Sequence, residues 1–137
     1  PLFDSRIGDK CIRDCHGDMH SGNIFITDKI YIFDAIEFND RFRYSDIAAD
    51  VAFLAMDLDF QQRPDLANYF IERYLAYSKD QQLKQLLAFY KCYRAYVRGK
   101  VISFRLDDPN ITSAEKEFAT NEAQAYFKLA AEYAKNL

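Results

Sequence analysis

Residues 15–34 constrain this chain more than any other stretch. Cys15-His16-Gly17-Asp18-Met19-His20-Ser21-Gly22-Asn23 runs into Ile24-Phe25-Ile26, and one apolar segment later Ile30-Tyr31-Ile32-Phe33 ends on Asp34. Both apolar segments are β-branched and aromatic with Asp28-Lys29 between them, so the spacing predicts an antiparallel hairpin over Ile24 to Thr27 and Ile30 to Phe33. A two-residue turn at Asp28-Lys29 pairs Asn23 with Asp34. Opposed residues of antiparallel strands hold their Cβ atoms ~4.5–5.5 Å apart, close enough to share one ion. Asp28-Lys29 lacks the glycine of a preferred two-residue turn, however, and a longer loop shifts the register by one residue.

Taken singly, these polar residues have ordinary explanations. An Asp in a glycine-containing loop forms turns, and an Asn before a strand caps or turns the chain. Their fixed order, His-Gly-Asp, then Asn, strand, turn, strand and Asp, points instead to a built site. Asp18 is suited to orient a hydroxyl and take its proton. Asn23 offers a neutral oxygen and Asp34 a charged one, hard ligands of the kind that suit Mg²⁺. Cys11, Cys15, His16 and His20 match no common zinc spacing.

The rest of the chain supplies a body for that site. Its 137 residues suffice for one domain with a core. Half of them are hydrophobic, including 12 Phe and 10 Tyr, against 4 Gly and 3 Pro, which argues for a packed and mainly helical protein. A net charge of −3 advertises no basic face for nucleic acid. No run approaches the ~18–20 apolar residues of a membrane span, and no signal pattern opens the chain, so a soluble cytoplasmic protein is the expectation. Three cysteines without a CxxC pair fit reduced thiols.

In chain order, Leu2 to Arg13 reads as a mixed lead-in with a turn at Gly8-Asp9-Lys10, and residues 35–44 as a loop. Ser45 is placed to cap a helix whose inner stripe is Ile47, Val51, Leu54 and Leu58. Pro64 opens a second helix marked by Leu66, Phe70, Tyr74 and Tyr77. A third runs from about Asp80 along Leu83, Leu86, Leu87, Tyr90, Tyr93, Val97, Val101 and Phe104 to Asp107-Asp108-Pro109. Thr112 and Glu115 form a capping box for a fourth, marked by Phe118, Ala125, Leu129 and Tyr133. Lys91, Arg94, Arg98, Lys100 and Arg105 give the third helix a basic side, read as a solvated face. The fold class is therefore α+β, mainly α: a loop and hairpin followed by about four helices.

His16-x-Asp18, Asn23 five residues after Asp18, and a later Asp34 at a strand end resemble the catalytic loop and metal-binding Asp of protein kinases. The form His-Gly-Asp-x-His-x-Gly-Asn resembles the aminoglycoside phosphotransferase branch of that fold, which includes small-molecule kinases. The resemblance implies an ATP- and Mg²⁺-dependent phosphotransferase acting on a hydroxyl of a small molecule, aminoglycoside-like or a related metabolite. Asp18 is then the catalytic base, and Asn23 and Asp34 hold the metal and its nucleotide. His16 braces the loop, and His20 stands behind it at most. Asp46 to Ala52 resembles the family's Asp-x-x-x-Asp-Leu-Ala segment, which implies that Asp50 supports the loop from behind, while Asp46 reads as a first-turn acid. Asp34-Ala35-Ile36 departs from Asp-Phe-Gly.

Only seventeen residues precede Asp18, so residues 1–137 read as the C-terminal lobe of a longer protein whose N-terminal nucleotide-binding lobe lies outside the chain. The isolated chain is then expected to be inactive. The competing readings are a kinase-like binding or regulatory module without turnover, against which all three groups are present, and a metal-dependent phosphoesterase, which needs a richer ligand set. The acceptor cannot be read from the loop, since specificity lives in pocket walls.

Overall fold

The computed structural model describes all residues from Pro1 to Leu137, and the chain divides into two compact units, Pro1–Leu87 and Ala88–Leu137. The first unit opens with helix α1 (Leu2–Gly8) and strand β1 (Ile12–Asp14). After the loop come the hairpin strands β2 (Ile24–Ile26) and β3 (Ile30–Ile32), a one-turn helix α2 (Asp40–Arg43) and strand β4 (Tyr44–Asp46). Helices α3 (Ile47–Phe60) and α4 (Pro64–Ser78) complete its body, and α5 (Leu83–Ser103) begins in it and continues into the second unit. A 3-10 turn over Phe104–Asp107 and helix α6 (Ser113–Ala134) follow. The molecule is α+β and mainly α.

The hairpin differs from its expected register. Ile24 pairs with Ile32, Phe25 with Tyr31 and Ile26 with Ile30, so Asn23 falls opposite Phe33, whose N–H donates to the Asn23 carbonyl at 2.9 Å. Asn23 and Asp34 are thus not a directly opposed pair. The cause is the turn: a two-residue type I′ turn needs positive φ at both central residues, and neither Asp28 nor Lys29 adopts it. The chain closes instead over Thr27, Asp28 and Lys29, with the Thr27 N–H on the Lys29 carbonyl at 2.9 Å.

Two segments read as irregular are ordered. Leu2–Gly8 is helical, and residues 40–46 form α2 and β4. β4 runs antiparallel to β1, pairing Ile12 with Asp46 and Asp14 with Tyr44. The cap of α3 also moves by one residue: it is Asp46 rather than Ser45 whose side chain accepts, from Ala48 N–H at 2.9 Å.

Helix interiors follow small residues more than large ones. On α3 the buried set is Ala48, Ala49, Val51, Ala52, Phe53, Ala55, Met56 and Asp57, whereas Ile47, Leu54 and Leu58 are only half-buried. On α4 it is Ala67, Ile71 and Leu75, one position on from the expected stripe, and Tyr77 is 78% exposed. Packing α3 against α4 needs short side chains where the backbones approach, and the larger ones flank that seam. Buried Phe53, Met56, Ile71 and Leu75 supply roughly 1.5–3 kcal/mol each by removal from water.

In the second unit α6 buries Ala119, Ala123, Tyr126 and Ala130 and leaves Phe118 exposed, again displaced from the expected stripe. Its capping box is formed, with Thr112 Oγ1 accepting from Glu115 N–H at 3.2 Å and Glu115 Oε2 accepting from Thr112 N–H at 2.9 Å. The basic side of α5 is not simply solvated. The Lys91 ammonium lies 5.4 Å from the Tyr133 ring centre and the Arg98 guanidinium 5.7 Å from that of Tyr126, cation–π contacts that join α5 to α6.

Candidate active site

The loop from Cys15 to Asn23 hangs from α3 by two carboxylates. Asp50 Oδ2 accepts His16 N–H at 2.7 Å and Oδ1 accepts Gly17 N–H at 3.0 Å. Asp57 Oδ2 accepts Ser21 N–H at 2.8 Å. Residues seven apart return to one face of an α-helix ~10 Å along its axis, so Asp50 and Asp57 grip the loop at both ends of Asp18. Charge-assisted bonds to backbone N–H groups are among the stronger ones available.

Gly17 is required where it stands. Its φ of 81° is left-handed, and a Cβ there would lie 3.0 Å from Ile36 Cδ1. Ile36 is itself pinned by donating its N–H to the His16 carbonyl at 2.8 Å, so the segment after the hairpin closes over the loop. His16 fastens the loop to the hairpin: its Nδ1 accepts Asp18 N–H at 3.2 Å and its Nε2 meets the Phe33 carbonyl at 2.5 Å. An acceptor Nδ1 places the proton of the neutral ring on Nε2, where that carbonyl receives it.

Asp18 and Asn23 meet directly. The Asn23 amide Nδ2 donates to the Asp18 backbone carbonyl at 3.0 Å and reaches its Oδ2 at 3.3 Å. His20 Nε2 lies 3.4 Å from the same Oδ2. Asp34, two residues beyond β3, is exposed with φ 60°, so the chain leaves the hairpin through a left-handed residue there. Asp18, Asn23, His16, His20 and Asp50 are thus joined by hydrogen bonds and close polar contacts around one loop, while Asp34 follows Phe33, the residue opposite Asn23, at the same end of the hairpin.

Behind the loop lies a cavity of about 310 Å³ lined by Cys15, His16, Met19, Asp50, Phe70 and Tyr74 among others. Burial pushes the Cys15 and Tyr74 side chains above their usual pKa values, so both stay protonated, and the Cys15 thiol donates to the Ser45 carbonyl at 3.4 Å. Phe70 and Tyr74 therefore form a cavity wall as well as part of the packing.

Two anchors were not singled out from the sequence. Asp57 was one, although an Asp seven residues after Asp50, on the same face of a largely apolar helix, is a readable signal. The other is Arg6, fully buried, which donates through Nε and Nη2 to Asp46 at 2.5 and 2.7 Å and through Nη1 and Nη2 to Asp80 at 2.9 Å each. Nothing in a short mixed lead-in marks it.

A glycine-turned loop carrying an Asp–Asn pair, followed by a hairpin and slung from carboxylates of a buried helix, defines a kinase-like phosphotransferase lobe. The sequence profile of the phosphotransferase enzyme family matches residues 13–89, more than half of the chain, and the chain belongs to that family. It is also similar to uncharacterized proteins of Mycobacterium bovis and of two strains of Mycobacterium tuberculosis, each 46% identical over 101 residues. That stretch covers 73% of this chain and 20% of each relative, so the chain spans about a fifth of their length. No solved structure matches it.

Proposed function

We propose that the intact protein is an ATP- and Mg²⁺-dependent phosphotransferase acting on a hydroxyl group of a small molecule, aminoglycoside-like or a related metabolite. The observation that carries this reading is the contact between Asp18 and Asn23 on a loop fixed at both ends, which supports Asp18 as the base and Asn23 as a metal ligand beside it. Asp18 receives the acceptor's proton as the hydroxyl oxygen bonds to the γ-phosphorus and the bond to ADP breaks. Positioning is most of what such a reaction asks of a protein, and the carboxylates of α3 provide it.

The residues present fit a magnesium ion. Asn23 turns its amide nitrogen to Asp18, which leaves Oδ1 as its ligand atom, and Asp34 adds a carboxylate. Magnesium usually takes one or two protein ligands and completes its shell with phosphate oxygens and water. When bound, it neutralises phosphate charge. A further lobe of the intact protein covers the nucleotide on this reading, in keeping with relatives five times as long as the match, and the 137 residues alone are inactive.

The test is transfer of labelled phosphate from ATP by the intact protein across a panel of hydroxylated small molecules, aminoglycosides included. Magnesium-dependent transfer that Asp18→Asn abolishes is expected. Absence of transfer and of nucleotide binding would instead favour a non-catalytic module.

A further inference from the structure

His20 is seated more deliberately than a loop filler needs. Its ring lies 5.7 Å from the ring centre of buried Phe53, and its Nδ1 accepts Gly22 N–H at 3.2 Å. Gly22 has no side chain to collide with it: a Cβ there would come within 2.9 Å of His20 Cε1 and 3.0 Å of Nδ1. Because Nδ1 accepts a backbone proton, the neutral ring carries its own proton on Nε2. Nε2 faces Asp18 Oδ2 at 3.4 Å, a separation typical of an active-site contact before substrate draws it together.

We propose that His20 is a positioning residue for the transfer reaction: its Nε2–H and the Asn23 amide converge on one oxygen, Asp18 Oδ2, and fix the rotation of the carboxylate that takes the acceptor's proton. This rests on the phosphotransferase reading and adds a role to a residue outside the metal ligands. Two donors on one oxygen leave a carboxylate a single orientation about its Cβ–Cγ bond. Gly22 belongs to the same device, since it makes room for the ring. The ring itself touches no substrate.

Two measurements test it. In ¹⁵N-labelled protein, long-range ¹H–¹⁵N spectra of the His20 ring should show the Nε2-protonated tautomer, with its Nε2 signal moving on Asp18→Ala. In the intact protein, with Mg·ATP hydrolysis as the probe and water standing in for the acceptor, His20→Ala should lower kcat about tenfold while KM for ATP holds, the loss of one hydrogen bond to a charged group. Gly22→Ala, which displaces the ring, should do the same, and the double variant should be no slower than His20→Ala. An Nδ1-protonated ring, an unchanged kcat, or losses that multiply in the double variant would each overturn the role in a protein that turns over. A protein with no turnover at all overturns the phosphotransferase reading and takes this role with it.

Discussion

At the scale of single residues, the proposed roles separate a group that acts in the transition state from groups that also hold the ground-state complex. Asp18→Asn in the intact protein should therefore collapse kcat and leave ATP affinity nearly intact, whereas Asp34→Asn should weaken magnesium-dependent ATP binding itself; isothermal titration with and without magnesium distinguishes them. Asp50 works only through backbone N–H groups, so Asp50→Ala should cost roughly 1–3 kcal/mol by leaving the His16 and Gly17 donors unpaired. Amide hydrogen exchange should accelerate at those two positions first. The residue types at Asp18, Asn23 and Asp34 were legible in the sequence. Their mutual geometry was not, because one residue of turn length decided which side chain faces which.

At the scale of elements, α3 is the part on which loop, lead-in and hairpin depend. Its N-cap, Asp46, is shared with the buried Arg6, which also grips Asp80 beyond the end of α4. Arg6→Met should destabilise the protein by about 3–5 kcal/mol, since it strands two carboxylates, one of them buried. Urea unfolding measures it. The pH dependence carries a sign: Arg6 holds the Asp80 carboxyl below its unfolded value of 3.8, so that contribution is full above about pH 4 and is lost as pH falls through the folded value. The gap between wild type and Arg6→Met should therefore narrow below about pH 4; a gap independent of pH there would show that Asp80 takes no part. The helices themselves could be read from caps and periodicity, as Thr112 and Glu115 illustrate. Their buried faces could be read only in part: Val51, Leu83 and Leu86 lie in the expected stripes and are buried, but alanines such as Ala52, Ala67 and Ala123 occupy the seams and carry little weight in a hydrophobic pattern.

At the scale of the whole molecule, the hairpin is unfinished business for the fold. Phe25, Tyr31 and Phe33 fall on one face and Ile26, Ile30 and Ile32 on the other, and all six are more than two-fifths exposed. A two-stranded hairpin is marginal in water without something packed on it. Phe25 and Phe33 meet edge to face at 5.2 Å, which covers only part of that surface. The 137-residue chain should accordingly self-associate, with light scattering showing a mass that rises with concentration and falls back when Ile26 and Ile30 are replaced by Lys. A strictly monomeric chain at high concentration would count against it. No helix is long and apolar enough to cross a membrane.

The sequence by itself determined the loop and its order of polar groups, the existence of the hairpin, the four long helices and the mainly helical α+β class, because each is written in local spacing: period two, period 3.6, caps and breakers. Only the tertiary structure decided that Asn23 leans on Asp18, that Asp57 and Arg6 are anchors, that residues 44–46 return to pair with β1, and that Asn23 stands opposite Phe33. These depend on contacts between residues 5 to 74 positions apart and on how a three-residue turn closes. Local pattern carries no record of which distant partner a carboxylate will meet; packing settles that.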